Sequence, residues 1–146
     1  MTRHRIVPVP ELAQPRGYAH AVVAAPGPLV FLGGQTAQGP DGTIRGDTMV
    51  EQFDLAARNV VTALAAAGGR PEDIVSLTIY VTDVAEYRAS LAEIGHVYRG
   101  HFGAHYPAMA LLGVAALFDD AAKLELLATA VLEVSGPGPP ARSKAG

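Results

Sequence analysis

A change of hydrophobic period constrains this chain more than any other feature. From Met49 to Ala67, apolar residues recur at three- and four-residue steps (Val50, Phe53, Ala57, Val60, Val61, Leu64 and Ala67), the spacing of one helical face. Thr48 with Glu51 three residues later forms a capping box ahead of this run, and Gly68-Gly69 supplies a left-handed stop behind it. After Pro71-Glu72-Asp73 the period drops to two. Val75, Leu77, Ile79 and Val81 alternate with Ser76, Thr78 and Tyr80, so residues 74–81 read as a strand with one buried face. A helix and a strand that each carry one apolar side must stack on one another.

The other elements arrange themselves around this pair. Arg5 to Val7, Ala19 to Ala24 and Leu29 to Gly33 read as short strands of an N-terminal antiparallel meander, with breaks at Pro26-Gly27-Pro28 and Gly39-Pro40-Asp41-Gly42. Asp83, with Glu86 three residues on, caps a second helix that carries Tyr87, Leu91, Ile94, Tyr98 and Phe102 on one face and ends near Gly103. Ala108 to Val114 and Lys123 to Glu133 read as two further strands, joined as a hairpin through Phe118-Asp119-Asp120. The order implies an α+β fold, a mixed sheet with two helices on one face. Residues 1–134 form one domain on this reading, and the Gly/Pro-rich stretch 135–146 is a flexible tail.

In the last strand Leu124, Leu126, Ala128, Ala130 and Leu132 share the face expected to meet the helices. The other face, with Lys123, Glu125, Leu127, Thr129, Val131 and Glu133, mixes apolar and charged residues in the manner of a subunit interface. A mean hydropathy of +0.22 with 49% hydrophobic residues is high for 146 residues, which also points to surface buried between copies. The formal net charge of −3 offers no basic footprint for nucleic acid. Zero cysteines exclude a disulfide framework, a thiolate nucleophile and a Cys-based zinc site. No apolar run is long enough for a secretory leader or a membrane span, so a cytoplasmic location with no membrane partner is expected.

Leu29-Val30-Phe31-Leu32-Gly33-Gly34-Gln35, Gln52 to Asn59, Ala67-Gly68, Thr78-Ile79-Tyr80-Val81-Thr82-Asp83 and Tyr106-Pro107-Ala108-Met109, in this order and spacing, resemble the RidA (YjgF) family of reactive-intermediate deaminases. The resemblance runs from Arg16 to Leu132. It implies a chorismate-mutase-like subunit that forms a homotrimer around a central barrel, with small-molecule pockets in the clefts between neighbours. It also implies hydrolysis of imines or enamines without a cofactor. Tyr18 stands at the family's N-terminal tyrosine, and Gly33 and Gly34 at the small residue and glycine that line its pocket. The carboxylate-binding arginine of the family aligns with Met109, a polar residue of the second helix with Gly95, and the water-positioning glutamate with Leu127. A carboxylate persists two residues earlier, at Glu125.

Loss of a bidentate guanidinium removes about 3–6 kcal/mol of carboxylate binding, or about a hundred- to ten-thousand-fold in affinity. With methionine's flexible apolar wall in its place, the pocket is expected to favour neutral or more apolar ligands. Another arginine such as Arg16 or Arg99 reaching the same cleft would overturn that expectation. Tyr18 and His20, two apart, should point to one side and can handle protons. Glu125 could orient water, while main-chain groups around Gly33, Gly34 and Leu111 polarise a substrate beside Met109 and Leu127. The expected chemistry is hydrolysis or tautomerisation of a small imine, enamine or related carbonyl compound by an atypical member, not that of a typical 2-imino acid deaminase. The alternative is a trimer that binds a ligand or partner without chemistry. The competing reading of Tyr18 is packing at the interface, that of His20 a half-exposed strand residue, and that of Glu125 a solvated partner of Lys123. His96, His101 and His105 suggest a metal only weakly, because Gly103 interrupts the helix between the last two; no metal is expected.

Overall fold

The structure of the protein is a computed structural model that describes residues 1–134; the tail expected at 135–146 lies outside the described residues. Three short strands, β1 (Arg5–Val7), β2 (Ala21–Val23) and β3 (Leu29–Phe31), lead to helix α1 (Met49–Ala66). A single 3-10 turn, Pro71–Asp73, precedes β4 (Ile74–Val81), and α2 (Val84–Ala89) and α3 (Leu91–Phe102) lead to β5 (Ala108–Gly113) and β6 (Leu124–Val131). The main sheet has the order β3-β6-β4-β5, with β4 and β5 parallel and the other pairs antiparallel.

Local chemistry sets the ends of α1. The Glu51 amide donates to Thr48 Oγ1 at 3.1 Å, and the Glu51 carboxylate accepts from the Thr48 amide at 3.3 Å, completing the capping box. At the far end Gly68 adopts φ +88°, and the amides of Gly68 and Gly69 donate to the Ala65 and Leu64 carbonyls at 2.9 Å each. This is the Schellman arrangement, and it needs a residue that tolerates positive φ. Met49, Phe53, Ala56, Ala57, Val60 and Leu64 of α1 pack on Leu77, Ile79 and Val81 of β4 and on Leu124, Leu126, Ala128 and Ala130 of β6.

Four expectations are corrected. The N-terminal strands do not form one meander: β1 and β2 pair as a separate ribbon, while β3 crosses to the far edge of the main sheet and pairs with β6. Residues 108–114 and 123–133 do not form a hairpin, because β4 inserts between β5 and β6. The second helix is broken at Ser90 (φ −101°, ψ 11°), which takes Leu91 off the core face and leaves it 57% exposed. A bulge between Ile74 and Ser76 shifts the register on β6, so Ile74 rather than Val75 fills the core, and Val131 is buried as well. The first two corrections are decided by which strands win a place beside β4 and β6, the last two by local departures from a regular helix and a regular ladder.

Candidate functional site

Edge strand β5 and helix α3 form the two long walls of a cavity of about 640 Å³, closed at one end by residues 16–18. Register makes this possible. Leu77 pairs with Met109 and Ile79 with Leu111, so both β5 side chains turn to the helix side of the sheet. The Val114 amide donates to the Val81 carbonyl at 2.9 Å, which sets the parity of the parallel ladder. By that parity the main-chain groups of Met109, Leu111 and Gly113 face the free edge of the strand rather than β4. Ala19 continues this edge, its amide donating to the Pro107 carbonyl at 2.9 Å, and this contact brings Tyr18 over the cavity.

Tyr98 and Tyr106 build the inner wall. Their rings stack at 5.1 Å with 6° between planes, and the Tyr98 hydroxyl donates to the His105 carbonyl at 2.7 Å and lies 3.9 Å from Met109 Sδ. Burial pushes the Tyr87 hydroxyl up to about 12 and raises that of Tyr98 too, with lesser contributions from the neighbouring Tyr106 and Tyr87. Both phenols therefore stay neutral at physiological pH.

Of the residues expected at the site, the cavity gathers Tyr18, Gly95, Met109 and Leu111. Arg16 and Arg99 also line it, and no aspartate or glutamate does, so the lining is cationic at two positions rather than purely apolar. Tyr18 and His20 do share a side, with rings edge-to-face at 5.2 Å, but His20 lines a neighbouring cleft under the N-terminal arm, where its Nε2 donates to the Ala13 carbonyl at 2.7 Å. Tyr18 lies between the two spaces and borders both.

The remaining candidates lie elsewhere on the sheet. Leu127 and Glu125 pair with Thr78 and Tyr80, on the face away from the helices. Gly33 and Gly34 stand opposite Leu127 as a bulge, since the Leu32 amide donates to Ala128 and the Gln35 amide to Leu126, which leaves two residues against one. The Glu125 carboxylate lies over Gly34, in the space that a β-carbon there would take. Neither glycine amide donates a hydrogen bond among the described residues. Leu127 is two strand spacings, about 10 Å, from β5. Within one chain, then, Gly33, Gly34, Glu125 and Leu127 form one group and Tyr18, Gly95, Met109 and Leu111 another, on opposite faces of the sheet.

Lys123 does not pair with Glu125; its Nζ meets Glu86 Oε2 at 2.9 Å. His101 Nε2 meets Asp54 Oδ1 at 2.6 Å, buried His105 donates from Nε2 to the Ile74 carbonyl at 2.7 Å, and His96 is exposed, so the three histidines have separate surroundings. Tyr87 and Ile94 are lining residues that sequence reasoning assigned to the core. Their helical spacing with Tyr98 is the same for a core stripe and for a cavity wall, and no local signal separates the two.

The sequence profile of a family described as Endoribonuclease L-PSP matches residues 10–132. The chain belongs to the RidA (YjgF) family. It is 36% identical over 109 residues to an Escherichia coli K12 protein named "Putative reactive intermediate deaminase TdcF", a match spanning 72% of this chain and 80% of the relative. Among solved structures, the Rid-family protein YyfB of Yersinia pestis superposes with a TM-score of 0.79 at 30% identity, covering 90% of this chain and all of that one. Rv2704 of Mycobacterium tuberculosis, of the YjgF/YER057c/UK114 family, gives a TM-score of 0.60 at 34% identity, covering 80% of this chain and 87% of that one. The α+β architecture with its mixed sheet is thus that of the RidA family. Among the described residues, no helix is long and apolar enough to cross a membrane.

Proposed function

We propose that this protein is a RidA-type enzyme that hydrolyses or tautomerises a small imine, enamine or related carbonyl intermediate in a pocket completed between subunits of a homotrimer. The separation of the two residue groups carries this reading. Gly33, Gly34 and Glu125 cannot reach a small ligand held by Tyr18, Met109 and Leu111 of the same chain, whereas a neighbouring copy can present them. The face that would meet that neighbour is apolar: Phe31 is 74% and Leu29 61% exposed there, beside exposed Leu112 and Leu127. Packing such faces together would also account for the high apolar content of a small chain.

In the hydrolysis, water adds across the C=N bond to give a carbinolamine. Its nitrogen takes a second proton and leaves as ammonia, and a carbonyl compound remains. Tyr18 would donate to the developing charge, while His20, held on the Ala13 carbonyl in the neighbouring cleft, packs against its ring edge. The free amides at Gly33 and Gly34 and the edge-facing main chain at Leu111 supply polarising donors. Glu125, over Gly34, would orient the attacking water. These roles require no cofactor.

The test pairs assembly with turnover. Light scattering of the full chain should give three times the monomer mass, and imines released in situ by an amino-acid oxidase should decay faster in its presence. Tyr18→Phe and Glu125→Gln should each slow that decay at least tenfold with the trimer intact. A monomer, or decay unchanged by both variants, would remove the reading. Met109 and Leu127 at the family's arginine and glutamate positions favour a second reading, a trimer that binds a ligand without converting it; binding without turnover in the same assay would establish it.

A further inference from the structure

We infer that the cleft beneath the N-terminal arm is a second ligand site, separate from the cavity between β5 and α3, and that it takes a neutral aromatic molecule bearing one hydrogen-bond donor, a phenol, with His105 Nδ1 as the acceptor. The site stands apart from the chemistry proposed above.

His105 carries the assignment. It is only 8% exposed, and its Nε2 donates to the Ile74 carbonyl at 2.7 Å, which leaves Nδ1 as the acceptor of the ring. Among the described residues no group donates to Nδ1. The atom is nevertheless not sealed in, because the one buried side-chain nitrogen or oxygen without a partner among the described residues is Arg3 Nε. The open space beside Nδ1 is the arm cleft, since His105 lines that cleft and not the β5–α3 cavity. A ring fixed through one nitrogen and offering the other to a mostly hydrocarbon-walled space has the form of a ligand pocket, in which a few placed polar groups set orientation.

The arm spans the cleft as an arch. At one end β1 pairs with β2, Val7 opposite Ala21, and at the other the Ala19 amide donates to the Pro107 carbonyl at 2.9 Å. Between them the Leu12 amide donates to the Val9 carbonyl at 3.1 Å, and His20 Nε2 to the Ala13 carbonyl at 2.7 Å. Pro8, Pro10 and Pro15 fix φ and remove amides that would otherwise need partners, so the arch keeps its span instead of collapsing onto the body. Phe102, Ala104, His105 and Tyr106 make the floor, from the end of α3 and the segment before β5, and the enclosed volume is about 1090 Å³. Ile6 and Leu12, both exposed, belong to the same lining, so a bound molecule would cover apolar surface now open to water.

The lining also sets the class of ligand. Among the described residues Glu72 carries its only charged side chain, so a carboxylate would find no cation there and would meet a like charge. Nδ1 accepts but does not donate while Nε2 holds the ring proton, so an ether or ketone oxygen gains nothing from it, whereas a phenolic O–H does. The Phe102 and Tyr106 rings favour an aromatic body.

para-Ethylphenol and its methyl ether, para-ethylanisole, test the assignment when titrated into the full-length protein at about pH 8, above the ordinary imidazole range. The phenol should bind about threefold to tenfold more tightly, the effect of one hydrogen bond, and para-ethylbenzoate should bind more weakly than either. Ala104→Phe, at an exposed position on the floor, should weaken phenol and ether together by about tenfold or more, whereas Gly95→Leu, which narrows the other cavity, should change neither. His105→Phe should erase the preference for the phenol. Because that change also strips the Ile74 carbonyl of its donor, the imidazole nitrogen resonances of the labelled wild-type protein give a second readout: Nδ1 of His105 should shift with the phenol and not with the ether. Equal affinity for phenol and ether, an unmoved Nδ1 resonance, binding lost in Gly95→Leu but kept in Ala104→Phe, or no binding of the phenol at all would each overturn the assignment.

Discussion

Gln52 is 2% exposed on the core side of α1, and replacing it with leucine tests how the loops around the sheet are held. Its Nε2 donates to the Gly46 and Ala121 carbonyls at 3.0 Å each, and its Oε1 accepts from the Lys123 amide at 2.8 Å. One side chain thus pins the loop before α1 to the loop before β6. Leucine has similar bulk but satisfies none of the three groups. A buried polar group left unpaired costs about 1–3 kcal/mol. Gly46 and Lys123 are half-buried, whereas Ala121 is exposed and can turn to water, so the sum comes to about 2–4 kcal/mol. For a domain of this size that corresponds to a fall in melting temperature of about 7–13 °C. Urea and thermal unfolding at fixed protein concentration would measure it, since any assembly couples stability to concentration. The Lys123 amide should lose its exchange protection in the same variant. A loss below about 1 kcal/mol with that amide still protected would show that the loops are held by their own backbone and that this account of Gln52 is wrong.

Raising the pH should destabilise the fold through Tyr87, which ionises near 10 when unfolded and at about 12 when folded. The folded state keeps its proton longer, so the contribution is complete below pH 10 and is lost as pH climbs toward 12, about 2–3 kcal/mol in all; Tyr87→Phe should flatten that limb of the unfolding profile. Phe31→Asp, on the exposed sheet face, should convert the proposed trimer to monomer in light scattering, and an unchanged mass would place the interface elsewhere. Gly100, in α3, has no heavy atom near a would-be β-carbon, so Gly100→Ala should stabilise the chain by about 0.5–1 kcal/mol in denaturant titration; destabilisation would mean that a neighbouring subunit covers it.

For caps, stops and regular side-chain alternation the sequence was sufficient, although the break at Ser90 and the bulge at Ile74 escaped it. The Thr48 and Glu51 box, the Gly68-Gly69 stop, the Asp83 cap and the buried alternation of Leu124 to Ala130 all appear where their spacing puts them. These are short-range hydrogen bonds and side-chain periods, which neighbours along the chain determine by themselves. Gln52 escaped the same reasoning. A polar side chain beside a core stripe looks solvated until the two loops that use its three hydrogen bonds are known.

Tertiary structure decided which strands meet, and with that the site. Both β5 and β6 could have paired with each other at no local cost, yet β4 lies between them, and this places Met109 and Leu111 at a free edge facing α3 while Leu127 and Glu125 face the opposite way. Sequence could offer Met109, Arg16 and Arg99 as candidates for one cleft without saying which of them meet. Only the folded chain brings those arginines to the cavity beside Met109, because a segment before β2 and a helix after β4 converge there through long-range packing. Local period carries no information about such convergence; burial of the whole apolar surface does.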